Sequence, residues 1–219
     1  MRKLRALSVL TGILLTIAVS SCDTTERQNY DIVSGNSEEL FLKDKEKKII
    51  EANKERLLRD RSCEKCDLRG VNLEGERLFY AYLRGANLLG AKINGAELIG
   101  ANLSEADLSK AELNRADLSL ADLTGAKLIE ARLKYATLRG ADLTGTWLIG
   151  ADLFRADLTL TELDEAKLLN AKLEYALIMN SILNGADFTG ANLSFVNFKG
   201  SDVNETKLPT KDNMLNTVF

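Results

Sequence analysis

Ala101-Asn102-Leu103-Ser104-Glu105-Ala106-Asp107-Leu108-Ser109-Lys110 states one phrase twice, and the phrase runs without a slip over residues 66–210 as 29 units of five. The first position of the unit is Ala in 20 of the 29, and the third is Leu in 24, with Ile93, Ile178, Phe188, Phe198 and Val203 as apolar substitutes. The remaining three positions are mostly polar or Gly. A period of five matches neither the 3.6 of a helix nor the 2 of a long strand, so the chain must turn a corner once per unit. Repetition at so short a fixed period specifies a solenoid, in which each unit buries its apolar residues by stacking on its neighbours.

The units Ala106-Asp107-Leu108, Ala121-Asp122-Leu123, Ala141-Asp142-Leu143, Ala156-Asp157-Leu158 and Ala191-Asn192-Leu193 resemble the A-(D/N)-L-x-x consensus of the pentapeptide-repeat family. The resemblance covers about two thirds of the chain. It implies an all-β solenoid, a right-handed quadrilateral β-helix in which four units form one square coil. Outward residues recur at every fourth unit: Ile129, Ile149 and Leu169 after the central position, and Tyr135, Tyr175 and Phe195 one place later. About seven coils at a spacing of about 4.8 Å would make a rod roughly 34 Å long.

A narrow square shaft has room for a methyl near each corner and one larger aliphatic along each face, which is the composition found. Gly at the fifth position (Gly85, Gly90, Gly125) suits a tight turn, and Asp or Asn at the second can bond local backbone. The single proline, Pro209, ends the tract. Glu76 occupies an Ala site in the first coil and is read as hydrogen-bonded near the open end.

Residues 1–21 carry a basic start (Arg2, Lys3, Arg5) and an apolar core, the pattern of a signal peptide. Val19-Ser20-Ser21-Cys22 resembles the bacterial lipoprotein processing box, which implies cleavage before Cys22 and acylation, palmitate included, of its sulfur and new amino group. Residues 22–37 are polar and read as a lipidated tether. Residues 38–62 read as a helical N-terminal cap with Leu42, Ile49, Ile50, Asn53, Leu57 and Leu58 near one face. Its end, Leu57-Leu58 followed by Cys63, Cys66, Asp67 and Leu68, resembles the entry sequence of many secreted or cyanobacterial-type pentapeptide proteins. Residues 63–210 then form the β-helix and 211–219 a C-terminal cap. Cys63 and Cys66 fall at inward positions. Two thiols filling the shaft are favoured over a disulfide, because three-residue spacing strains the bridge, although an exported compartment permits one.

The chain contains no His, which removes Ser-His-Asp and Cys-His schemes and most zinc sites. No glycine-rich phosphate loop opens a helix. The expectation is therefore a protein without catalytic residues, cofactor or metal, whose function sits on its outer faces. One face stacks Asp122, Asp142 and Glu162 beside Asp164 and Glu165, close enough to repel and to favour a cation or a basic partner. A merely solvated acidic face is the simpler reading. A second face carries Ile129, Ile149 and Leu169 with Trp147 beside them, a strip read as exposed, where a partner or a second copy would dock. A third alternates Arg115, Tyr135, Arg155, Tyr175 and Phe195 with Phe154 adjoining, either a ladder that stabilises the stack or a binding surface.

Two functions follow. One is a non-catalytic lipoprotein of the cell envelope, membrane-anchored through Cys22 and facing the periplasm or exterior. Its rigid rod would present faces to a protein or wall partner, or to a second copy as a homodimer, with no nucleic acid bound. The other is implied by the family alone: a DNA-mimicking protector or inhibitor of a type II topoisomerase. That role needs a strongly acidic rod, whereas the formal net charge here is −3.

Overall fold

The computed structural model describes residues 24–219. The expected signal peptide and lipidation site, Cys22, lie outside the described residues. The chain divides into two compact units, Met1–Lys43 and Asp44–Phe219, and α1, Thr24–Asp60, belongs to both. Helix therefore begins where a polar tether was expected, well before residue 38.

Beyond α1 the backbone forms parallel single-residue bridges between each unit and the fourth unit after it, from Ser62 with Tyr82 through Asp122 with Asp142 to Asp187 with Lys207. The four-units-per-coil reading is thus realised as bridges, one per unit, instead of long strands. The unit Ala121–Gly125 shows why the arrangement closes on itself. Ala121 N donates to Leu118 O (3.1 Å), closing the corner; Asp122 N reaches back to Ala101 O (3.0 Å); Leu123 N reaches forward to Asp142 O (2.8 Å); Gly125 N reaches forward to Thr144 O (2.9 Å). The fifth donor, Thr124 N, goes to the Asp122 carboxylate (3.0 Å). Every N–H of the unit has an acceptor, which a backbone running close to a dry core requires.

That bond explains the Asp or Asn at the second position: it ties down the one amide that the neighbouring coils leave free. In three units whose second residue is of another type, the fourth residue of the coil before supplies the oxygen. Arg132 is not an acceptor, so Lys134 N donates to Asn114 Oδ1 (3.1 Å). With Ile182 in that place, Asn184 N donates to Asp164 Oδ1 (3.0 Å).

The fifth residue sits in the left-handed region at every corner. Gly100 uses that freedom: its φ is +65° and the Tyr80 ring lies where a Cβ would be. Non-glycine residues occupy the same conformation elsewhere, among them Arg115 (φ 59°) and Tyr135 (φ 59°), at a cost of roughly 1–2 kcal/mol each. Stacking of the outward side chains offsets part of it.

Ala and Leu columns fill the shaft, from Leu68 to Phe198, nearly all of them inaccessible to water. Five first positions hold a hydroxyl instead. Thr146 Oγ1 donates to Leu123 O (3.1 Å) and Thr206 Oγ1 to Leu183 O (2.9 Å). Thr161, Ser181 and Ser201 lie one above another, and there the corner bond is replaced: Thr161 N donates to Ser181 Oγ (3.2 Å) and Ser181 N to Ser201 Oγ (3.0 Å). A hydroxyl is tolerated in the shaft because a backbone carbonyl is always within its reach. Glu76 is half-buried, and its side chain makes no hydrogen bond among the described residues, contrary to the expected one.

At the N-terminal end Leu57 is fully buried, while Ile50 and Leu58 pack against the same core. Asn53 Nδ2 donates to Asp67 O (2.9 Å). Positions 50, 53, 57 and 58 form one helical stripe. Leu42 and Ile49, placed on that stripe from sequence, are exposed instead. Cys63 and Cys66 form a disulfide, their Cα atoms 5.3 Å apart. The expectation of two free thiols is corrected: the corner that sets each central residue beside the next first residue brings the two Cα atoms to a separation within the usual range for a disulfide. At the other end a 3-10 turn, Lys211–Asn213, leads to Val218, which bridges Asn197. Phe219 stacks on Phe198 at 5.3 Å.

Ala121 is 1% exposed and Thr124 is exposed. Ala121→Glu is expected to lower Tm by ten degrees or more, since its carboxylate has neither space nor partner. Thr124→Glu should stay within a few degrees of wild type, and equal thermal melts for the two variants would contradict the inward and outward assignment.

Candidate functional surfaces

On the acidic face Asp122 bridges Asp142, which bridges Glu162, so the three carboxylates stand one per coil at about 4.8 Å. Each Asp commits one oxygen to its own turn, Asp142 Oδ1 accepting from Thr144 N (2.9 Å). Its second oxygen faces solvent. Asp164 accepts from the next coil, as above, and Glu165 is exposed. Among the described residues the face holds one ion pair beyond the first coil, Arg84 to Glu105 (2.8 Å), and no group of acidic or thiol ligands is placed to hold a metal.

The aliphatic column is less open than expected. Ile129, Ile149 and Leu169 are each half-buried, because the coils above and below shade one another along the column. Trp147 is 38% exposed, and Lys167 Nζ lies 4.2 Å from its ring centroid. The solvent-facing part of this surface is therefore Trp147 and its lysine.

The aromatic column forms a continuous ladder. Tyr135 meets Phe154 edge-on at 5.7 Å, Phe154 meets Tyr175 at 5.8 Å, and Tyr175 stacks on Phe195 at 4.6 Å. Arg155 lies over both Phe154 (5.4 Å) and Tyr175 (5.3 Å), and Arg115 lies over Tyr135 (5.9 Å). Such contacts are worth about 0.5–1 kcal/mol each at exposed sites, which offsets part of the cost of the strained corners beside them.

Beside the ladder lies an open groove of about 850 Å³, lined by Asn94, Asn114, Arg115, Arg132, Lys134, Tyr135, Asp152 and Lys172. Sequence reasoning overlooked it. Its cations come from the second, fourth and fifth positions of stacked units on one face, and the fifth position alone shows only Arg115 of them. Arg132 pairs with Glu112 (3.4 Å) and Lys134 with Asp152 (3.2 Å), while Lys172 makes no ion pair among the described residues.

The structure thus combines a corner in every unit, bridges between every fourth unit and an Ala-Leu shaft, and the family model for pentapeptide repeats matches eight copies within residues 77–119, 116–153 and 179–208. The chain belongs to the pentapeptide-repeat family. Its members fold as right-handed quadrilateral β-helices and are generally non-enzymatic, as this chain is. Among solved structures, alr5209, a pentapeptide repeat protein from Nostoc Pcc 7120, is 33% identical, with 51% of this chain and 84% of that one covered and a TM-score of 0.18. Rfr23, from the cyanobacterium Cyanothece 51142, is 28% identical over 77% of this chain and 97% of that one, with a TM-score of 0.27. A trypsin-treated variant of QnrB1, a plasmid-mediated fluoroquinolone resistance protein, is 19% identical over 69% and 90%, with a TM-score of 0.45. No curated protein matches the chain.

Asp67 and Asp187 are among the carboxyls held below the usual range. The Arg69 guanidinium, donating at 2.8 and 2.7 Å, holds Asp67 down. Thr189 does the same for Asp187, helped by Lys207 Nζ at 3.2 Å. A carboxyl depressed in the folded state contributes stability that is complete above its unfolded pKa of about 3.9 and is lost as pH falls through the folded value. An Asn at either place keeps the turn acceptor but cannot titrate. The Asp67→Asn, Asp187→Asn variant should therefore lose less Tm than wild type on acidification from neutrality to about pH 2. Parallel Tm-versus-pH curves would count against these two contacts.

Proposed function

We propose that this protein is a rigid, non-catalytic display rod, held at a membrane surface by lipid on Cys22 and exposed in the cell envelope, whose outer faces bind a protein or wall partner. One observation carries the display reading: the shaft is filled with Ala and Leu, while the three outward surfaces hold distinct chemistry at fixed spacing. The surfaces are a column of carboxylates, a Trp147–Lys167 contact and a cationic groove beside an aromatic ladder. A helix that inserts Leu57 at one end and a Phe219–Phe198 stack at the other make the N- and C-terminal caps of a rod of about seven coils. The separation of acidic and basic surfaces favours this reading over DNA mimicry, which calls for negative potential around the rod.

The anchor rests on the Val19-Ser20-Ser21-Cys22 box. Acylation at more than one atom gives stable membrane association where a single chain would not. Cys22→Ser is expected to move the protein from the membrane to the soluble fraction, or to leave it as an uncleaved precursor. A variant as firmly bound and as fully processed as wild type would rule the lipid anchor out.

A further inference from the structure

The acidic column and the cationic groove lie two units apart in every coil, so they occupy opposite sides of the square rod. Within residues 81–205 the acidic side carries eight carboxylates against one guanidinium, and the opposite side six bases against three acids. The two sets also share the same four coils. Glu105 is in the coil of Arg115, and Asp122 in that of Arg132 and Lys134. Asp142 is in the coil of Arg155, and Glu162 in that of Lys172.

This coincidence has a geometric consequence. Sliding one rod sideways onto another, parallel and without rotation or shift along the axis, sets the acid of each coil against the base of the same coil in its neighbour. Because both partners have the same coil spacing, the match holds along the whole column, which no unrelated ligand guarantees. The acids are free to be shared, since Asp122, Asp142, Glu162 and Glu165 make no ion pair among the described residues, and on the other side Arg115, Arg155 and Lys172 make none. Arg115 and Lys172 line a groove, whereas the carboxylates stand one per coil as a ridge of charge along the opposite side.

We propose that the rod associates side by side with further copies of itself in parallel register, the Asp122–Asp142–Glu162 ridge of one copy seated in the cationic groove of the next. The contact joins two different surfaces, so it does not close at a dimer; each added copy leaves a fresh ridge and a fresh groove, and the product is an open row. Individual exposed ion pairs contribute little, so association depends on the repeated match and on weak screening. An anionic polymer or acidic partner in the groove would account for one side of the rod only. A second copy accounts for both sides and for their sharing of coils.

Sedimentation velocity on the purified full chain, with Cys22→Ser in every sample so that lipid does not drive association, tests this. In about 10 mM salt, where the Debye length is about 30 Å, the weight-average mass is expected to at least double and to grow with concentration. In about 1 M salt, where it is about 3 Å, the chain should be monomeric. Two variants break one side each. Asp122→Asn, Asp142→Asn, Glu162→Gln neutralises the ridge while keeping the turn acceptors, and Arg115→Glu, Lys172→Glu reverses the groove. Each alone is expected to stay monomeric in low salt with Tm near wild type, and an equimolar mixture should form a dimer that grows no further, because one competent ridge then meets one competent groove. A wild-type chain that is monomeric in low salt overturns the proposal, even if it binds an anionic column. So does association that survives high salt, or a ridge-neutralised chain that still self-associates as wild type does.

Discussion

The rest of this protein depends on the width of its shaft. A square coil of four units leaves room for a methyl at each corner and one branched aliphatic on each side, and the chain supplies Ala and Leu at those places almost without exception. Filling that space removes every inward position from functional use. It also sets the outward positions at fixed heights, because each unit is bonded through its second, third and fifth amides to the coils on either side. Outward chemistry is thereby decoupled from stability, and a row of carboxylates or aromatics can be written along the rod with little consequence for the core.

The amide of the fourth residue is the point where inside and outside remain connected. The backbone of the neighbouring coils does not satisfy it, whereas an Asp or Asn two residues before it does, as at Asp122 and Asp142, and Asp and Asn are abundant on the surface for that structural reason. Much of the acidity of the rod therefore carries no functional information. Glu162 and Glu165 are different, because a Glu at those positions serves no turn, and the cations of the groove likewise satisfy no backbone group. Charge that the fold does not require is the charge worth testing for a role.

The five-residue register, the inward columns, the four-unit coil and the burial of Leu57 were legible from sequence, since each follows from which residues fit a narrow dry shaft. Other features were not. The Cys63–Cys66 disulfide depends on a corner geometry that sequence separation alone misjudges. The hydroxyls of Thr161, Ser181 and Ser201 look like defects in an Ala column until the carbonyls that accept from them are located. Ile129, Ile149 and Leu169 read as an exposed strip, but each coil shades the next, so that a column is half-buried even when every residue in it points outward. The groove was missed because Arg115, Arg132, Lys134 and Lys172 stand on one face but at its second, fourth and fifth positions, interleaved with Glu112 and Asp152, and that face was read along its fifth position.

The central claim, that four units make one interchangeable layer of the rod, is tested most directly by excision. Removing residues 121–140 takes out one whole coil and restores every column above the cut, so the shortened chain should melt cooperatively, with Tm within about ten degrees of wild type given the additive, nearest-neighbour stability of solenoids. Removing residues 121–123 alone deletes far less but turns inward residues outward from the cut onward, and should abolish cooperative melting of the repeat. Two deletion variants with the same melting behaviour, or a whole-coil excision that unfolds the chain, would contradict it.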